Sequence, residues 1–386
     1  MKVAHVLHPY QPDLGYQENY LPAKQCELGH DARIFTSDYA PVSEGDNLQY
    51  ERGYHEYKSV PTYRLKTTLN LDSMEKVYLK KLFSALSDFD PDVIHAHGLY
   101  SITTFQCAVY ELLNDVDLFV DVHVDNDNLH TDTPAKKLLY GSHRTLGVPF
   151  LTSRAEAFLP VNPQAEHFIV DKMGISEEHV EFLPLGVDTD VFSPQAAQSD
   201  FRDELGYDSD EMVIISSGNL NETKDLEVLI HAFDQVNDAH PEARLLLVGP
   251  CPEEYKRSLK ELISNFGLED CTRFEGRVPH ETLADYYLAA DIGVWPGKLG
   301  ITIIEAIGCG LPVVVCESAA TSFLVANHNG ISFERGDIDK LETCLTQYCS
   351  STDLQERHAE NALKYALDQL SWSNIAEGSI RLYENS

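Results

Sequence analysis

Paired cysteines are missing from this chain. Its eight cysteines are scattered singly, with no Cys-x-x-Cys and no Cys/His pair at zinc-finger spacing. That excludes a zinc knuckle or a disulfide framework as the basis of the fold and fits a reducing cytoplasm. Basic residues are scarce as well, 29 against 62 acidic ones, giving a net charge of −33. A surface of that sign repels the phosphates of nucleic acid, so no nucleic-acid partner is expected. A carboxylate excess also keeps a protein hydrated in a salt-rich cytoplasm, although lysine is not depleted here. Long apolar runs are absent too: the longest, Gly300 to Val315, is interrupted by Glu305, Gly308, Gly310 and Pro312 and is too short to span a bilayer. The chain opens Met1-Lys2-Val3-Ala4-His5-Val6-Leu7, a strand-like alternation without the basic and apolar regions of a signal peptide. These absences predict a cytoplasmic protein whose contact with a membrane is at most peripheral, at its cytoplasmic face.

What is present is a globular composition, 43% hydrophobic and 24% charged over 386 residues, a length that favours two domains. Short apolar runs alternate with amphipathic ones, which predicts an α/β fold with parallel sheets covered by helices. Strands are expected near Val3–Leu7, Ala32–Phe35, Val93–His97, Leu118–His123, Val180–Pro184, Val213–Ser217, Arg244–Val248, Arg273–Glu275, Ile292–Trp295 and Pro312–Val315. Helices are expected over Ser73–Leu86, Leu226–Val236, Glu254–Phe266, Thr282–Ala290 and Ile301–Ile307. Turn formers and the lack of a helical period from Pro184 to Pro194 mark a linker, dividing the chain into domains at 1–190 and 191–370. Sheets of this kind bind ligands beyond the carboxyl ends of their strands, which places the chemistry in a cleft between the halves.

The stretch Trp295-Pro296-Gly297-Lys298-Leu299-Gly300-Ile301-Thr302-Ile303-Ile304-Glu305 carries the most information. A strand end, a glycine-rich loop and a helix opening near Gly300 make an anion site from the backbone amides around Gly300 and Ile301. Glu305 falls about one turn inside that helix among isoleucines, where an unpaired carboxylate costs several kcal/mol. Its partner is either the hydroxyls of a bound sugar or the backbone donors of its own helix start, and the spacing leaves both open. Ser216-Ser217-Gly218-Asn219-Leu220-Asn221-Glu222-Thr223-Lys224-Asp225 is a second strand end feeding a helix. A lysine there opposes the helix dipole, so Lys224 is either a solvated surface residue or the neighbour of an anion. Lys298 adds a further positive charge beside the same loop.

In the first half, the first strand leads into His8-Pro9-Tyr10-Gln11-Pro12-Asp13-Leu14-Gly15-Tyr16, where Gly15 lets the backbone approach a ligand. His8, His97 and His123 stand at successive strand ends. The Asp-x-Asp pairs Asp188/Asp190 and Asp125/Asp127 are expected by chance in so acidic a chain and are assigned no metal.

Taken in order, these motifs resemble the family 4 glycosyltransferases. The stretch ending in Glu305 is similar to the family's Glu-x7-Glu region, whose second Glu holds the donor ribose; its first Glu is replaced by Gly297. Lys224 matches the lysine that clamps the donor diphosphate, and Asn219 replaces the accompanying arginine. Gly276-Arg277-Val278-Pro279 resembles the loop that cups the base, Leu183 to Phe192 the interdomain connection, and Ser371-Trp372-Ser373-Asn374 the start of a last helix, 371–386, that packs back on the first domain. Tyr16 stands where the family has a second glycine, and His123 matches the histidine that contacts the transferred sugar.

The resemblance implies a GT-B fold of two Rossmann-like domains and retaining transfer of a hexose-type sugar from a nucleoside diphosphate sugar to a glycan or lipid-linked acceptor. It implies no cofactor beyond the donor and no metal, with Lys224, Asn219 and the amides at Gly300 and Ile301 neutralising the leaving diphosphate. Two other readings stay open: a sugar-nucleotide-binding partner subunit without turnover, given Gly297 and Asn219, and a metal hydrolase built on His8, His95, His97 and His123. Lysines 76, 80 and 81 among Val77, Tyr78, Leu79, Leu82 and Phe83, and Lys136, Lys137 and Arg144 around Leu138, Leu139 and Tyr140, suggest transient membrane contact.

Overall fold

Strands covered on both faces read as near-continuous apolar runs, and two sets of such strands pair in this chain. The computed structural model describes residues 1–12, 15–41, 47–71, 76–124, 133–196 and 200–386. It groups Met1–Leu185 and Trp372–Ser386 in one unit and Gly186–Ser371 in a second. The first unit holds a seven-stranded sheet in the order Ala157–Pro160, Asp117–Val122, Val93–His97, Lys2–Val6, Asp31–Ser37, Val60–Leu65, Gly53–Tyr57. Neighbours run parallel except the last strand, which returns antiparallel.

Strand alternation gives this sheet two apolar faces. Ala4, Val6, Ile94, Ala96, Leu118 and Val120 pack toward helices Leu82–Phe89 and Ile102–Glu111. Val3, Val93 and Phe119 join Leu21 of helix Gln17–Glu27 and Trp372, Ala376 and Ile380 of helix Trp372–Glu384. Tyr20 stacks on Trp372 with ring centroids 5.6 Å apart, which ties those two helices together. Each large side chain buried this way stabilises by about 1.5–3 kcal/mol. Two residues further along, the same face turns polar: Val3 is followed by His5, Val93 by His95 and Phe119 by Asp121, all buried.

The second unit is a six-stranded, wholly parallel sheet in the order Thr272–Glu275, Ala243–Val248, Met212–Ser217, Ile292–Trp295, Val313–Cys316, Gly330–Phe333. Helix Leu226–Ala239 buries Leu226, Leu229, Ile230, Phe233 and Val236, a stripe at helical spacing, in the core that also holds Ile214, Leu245 and Val314. The chain enters this unit at Gly186 and leaves it at Ser371, and the two passages pair with each other. Val187 N–H donates to Leu370 O at 2.7 Å, and Val187 bridges Ser371 in parallel. Helix Ile301–Gly308 presses on the same segment: a Cβ at Gly308 would stand 2.8 Å from Val187 Cγ2 and 2.9 Å from Phe192 O.

The structure departs from the sequence reading in identifiable places. The units divide at Leu185/Gly186 and Ser371/Trp372, so the boundary read at 190/191, with the linker from Gly186 to Pro194, falls inside the second unit. There Asp188 folds into its own turn, its Oδ1 accepting from Asp190 N–H at 3.2 Å. Residues 180–184 form no strand beyond an isolated bridge between Val180 and Phe158. The helix expected over Ser73–Leu86 is instead a strand, Lys76–Leu79, paired antiparallel with Thr67–Leu71 and followed by helix Leu82–Phe89. Val77 and Leu79 alternate into the core, Gln106 bonds both backbone groups of Leu79 at 2.9 Å, and Lys81 adopts a left-handed φ of 68° that separates strand from helix. That arrangement removes the amphipathic helix on which membrane contact through Lys80 and Lys81 rested. The pair Asp125/Asp127 lies outside the described residues.

Candidate functional site

In the second unit, three loops meet at the start of helix Ile301–Gly308. Gly300 is its extended N-cap, and the Lys224 ammonium sits so near that a Cβ at Gly300 would be 3.3 Å from Nζ. Lys224 Nζ donates to Lys298 O at 2.7 Å, and Lys298 N–H donates to Thr223 O at 2.9 Å, so the loops carrying Lys224 and Lys298 are laced together. The strand ends behind them are braced: Trp295 Nε1–H and the Thr302 hydroxyl both donate to Ser217 O, at 3.0 and 3.3 Å. Burial, and then the charge of Lys298, pull the Lys224 ammonium down to about 8. A partly buried cation at the amide end of a helix is an arrangement that a phosphate group relieves.

Gly297 is buried, and any side chain there would run into the backbone of the Lys224 loop. An added Cβ would be 2.6 Å from the Lys224 carbonyl carbon and 2.7 Å from its Cα. The missing first Glu of the family pattern therefore reflects loop packing at this position. Asn219 is exposed beyond the end of strand Met212–Ser217 and makes no hydrogen bond to Lys224 among the described residues.

Glu305 is only 4% exposed at its side chain, and within the chain it meets a side chain that the sequence did not single out. Oε1 meets His280 Nε2 at 2.6 Å, while Oε2 is buried with no hydrogen bond among the described residues. His280 opens the short turn His280–Thr282 that follows Val278 and Pro279, so the Glu305 carboxylate and the Val278 loop are fastened to each other. His280 went unread in the sequence, where it is one residue beyond a loop noted for its glycine and proline.

In the first unit Gly15 takes a left-handed φ of 69°, whereas Tyr16 is extended at φ −87° and 53% exposed as the N-cap of helix Gln17–Glu27. Tyr16 thus occupies a backbone conformation that needs no glycine. His123 is half exposed and its Nε2 lies 3.0 Å from Asp121 Oδ2. Around the same carboxylate stand His97 Nδ1 at 3.2 Å and His95 Nε2 at 3.8 Å. Parallel register sets His5 beside His95 and His97 beside Asp121; the His95 ring stacks on His97 of its own strand at 4.6 Å and on His5 of the neighbouring strand at 5.0 Å. His8 does not join them; its Nδ1 meets Ser37 Oγ at 2.6 Å. Burial holds the His97 imidazolium down to about 4. Burial favours the neutral acid at Asp121, but His123 and the surrounding imidazole N–H groups outweigh it and carry the carboxyl well below its usual range. The His123 surroundings disfavour charge, yet Asp121 prevails and raises its pKa. His5 and Asp121 were not singled out in the sequence, although their place two residues from an apolar partner on the same strand face was a signal.

Comparison with known proteins bears on both units. Residues 23–191 match the family described as Glycosyltransferase Family 4, and residues 197–365 match Glycosyl transferases group 1. Among curated relatives, D-inositol 3-phosphate glycosyltransferase of Kribbella flavida is 26% identical over 76% of this chain and 71% of its own. A GDP-mannose-dependent monoacylated alpha-(1-6)-phosphatidylinositol monomannoside mannosyltransferase of Corynebacterium glutamicum is 31% identical over 50% of this chain and 52% of its own. Among solved structures, Anabaena HepE in complex with UDP superposes with TM-score 0.77 at 18% identity, covering all of both chains. Sucrose-phosphate synthase of Thermosynechococcus elongatus does so with TM-score 0.74 at 18% identity, covering 100% of this chain and 99% of its own. Matched by glycosyltransferase families over two successive stretches and sharing the GT-B fold, the chain belongs to the glycosyltransferases of the family 4 type.

Proposed function

We propose that this glycosyltransferase takes a hexose-type sugar from a nucleoside diphosphate sugar, with retention at the anomeric carbon, and passes it to a glycan or lipid-linked acceptor. The observation that carries the donor assignment is the Lys224 ammonium poised over the amide end of helix Ile301–Gly308. A diphosphate seated there gains both a cation and the helix amides, which become more valuable as the leaving group takes on charge. Glu305, with one carboxylate oxygen lacking a donor, is the partner assigned to the ribose hydroxyls. His123 is assigned to the transferred sugar by the family likeness, which also supplies retention, with the leaving phosphate taking the acceptor proton.

Two properties of nucleotide binding test this reading. With Lys224 and helix amides in place of a metal ion, calorimetry is expected to show nucleoside diphosphate binding that survives an excess of chelator; binding lost on chelation would refute the assignment. Because Lys224 in the empty site gives up its proton near pH 8, affinity is expected to fall as pH rises above that value. The fall should approach about tenfold per pH unit, since each complex formed must then take up one proton. Affinity flat from pH 7 to 10 would mean that Lys224 does not meet the phosphates.

Membrane contact is proposed for the remaining basic segment. Helix Pro134–Ser142 continues through His143–Gly147 into Val148–Thr152, with Leu138 76% and Leu146 74% exposed beside exposed Lys137 and Arg144. No helix among the described residues is long and apolar enough to cross a membrane. Flotation with anionic liposomes is expected to carry the protein upward at low salt and to release it at high salt. Absence from the floated fraction at low salt would end the idea.

A further inference from the structure

We infer that the first unit carries a transition-metal site formed by His97, Asp121 and His123. Two imidazoles and one carboxylate are a ligand set suited to zinc, iron or cobalt in the divalent state. Their donor atoms already converge: His97 Nδ1 and His123 Nε2 lie 3.2 and 3.0 Å from Asp121 Oδ2, and the three ligand atoms fall within 4.8 Å of one another. Ligands held at about 2.0–2.2 Å around a tetrahedral ion are separated by about 3.3–3.6 Å, so only small shifts of the side chains admit the ion.

The outer shell is built as metal sites require, with the far nitrogen of a ligand ring fixed by a second group. His97 Nε2 is engaged by His5 Nδ1 at 3.1 Å, and His5 in turn by Gln25 Oε1 at 2.7 Å. That leaves the Nδ1 edge of His97 turned to the carboxylate. An independent observation points to a missing ligand. Asp121 is wholly buried, yet among the described residues its Oδ1 has no hydrogen-bond partner, and neither has the buried Nε2 of His95 beside it. A carboxylate with an idle oxygen inside a protein core costs free energy that a bound cation recovers. His123, 45% exposed, provides the way in from solvent.

The phosphate and ribose contacts proposed at Lys224, Gly300 and Glu305 lie in the other unit; only His123 is shared with the proposed function, and Co²⁺ binding is read with no donor present, so the two readings fail separately. The metal site shares His97 and His123 with a hydrolase built on His8, His95, His97 and His123, but differs in its carboxylate ligand and in leaving out His8, which meets Ser37 instead. The test is optical titration of chelator-treated full-length protein with Co²⁺. One equivalent is expected to produce the intense d–d bands of a four- or five-coordinate ion, and Zn²⁺ should bleach them. His123→Ala, a change at a half-exposed position, is expected to weaken Co²⁺ by more than about 100-fold, beyond the 10–100-fold that loss of an outer-shell partner costs. His5→Ala should fall within that lower range. His97→Ala is a second ligand variant, and melting curves of all three establish that the fold persists. No d–d bands with wild type, bands of a six-coordinate aquo ion only, or bands unchanged in both His97→Ala and His123→Ala would overturn the site.

Discussion

Lys224→Ala is expected to lower turnover by about 10²–10³ while leaving the protein folded, the cost of removing one preorganised donor from a developing negative charge. Its ammonium faces the amide end of helix Ile301–Gly308 and donates to Lys298 O, and no ion pair of Lys224 with a carboxylate is found among the described residues. The loss should therefore appear in kcat more than in KM for the donor, because the leaving diphosphate is more negative in the transition state than in the bound substrate. Glu305→Gln makes the contrasting case. Its amide oxygen can keep the 2.6 Å contact with His280, but the charged acceptor is gone, and nucleotide binding is expected to weaken by about 1.5–3 kcal/mol. Donor kinetics and calorimetry on both variants decide the matter. Turnover of Lys224→Ala within a few-fold of wild type, together with unfolding of Glu305→Gln, would make the one a surface residue and the other structural.

The second large effect is expected at Gly297. Sequence logic alone would restore the family's acid here and anticipate a better enzyme. The geometry says the opposite, since even the Cβ of alanine would press into the backbone at Thr223 and Lys224. Overpacking of this kind costs about 1–3 kcal/mol, and here it also displaces the loop that aims Lys224. Gly297→Ala and Gly297→Glu should both lose thermal stability, by roughly 2–4 °C per kcal/mol for a unit of this size, and both should bind nucleotide less tightly. Gly297→Glu with unchanged melting temperature and raised activity would show that the loop opens to admit a side chain.

Strands such as Val93–His97 and Ile292–Trp295 were legible because both faces are covered and the apolar run is nearly continuous. The region 73–86 misled because Leu79, Leu82 and Leu86 fall on one face at helical spacing, while Val77 and Leu79 alternate as in a strand. Contacts from Gln106, 27 residues away, decide between them. Lys224 and Glu305 were readable because each is an anomaly in its own element, a cation at a helix start and a carboxylate among isoleucines. Their partners were not. His280 is 25 residues from Glu305, and the convergence of His5, His95, His97 and Asp121 depends on strand order and register. Alternation along one strand says which face a residue takes, but not which strand lies next to it.

The pairing of Val187 with Leu370 and Ser371 gives the second unit the topology of an insertion: its beginning and its end are hydrogen-bonded neighbours, and the first unit resumes only at Trp372. A segment whose ends meet can be re-threaded without stretching its backbone. Joining Gly186 to Ser371 by a short flexible loop and opening the chain at an exposed turn would give a circular permutant of Gly186–Ser371 in which the order of the strands in sequence changes and their order in the sheet does not.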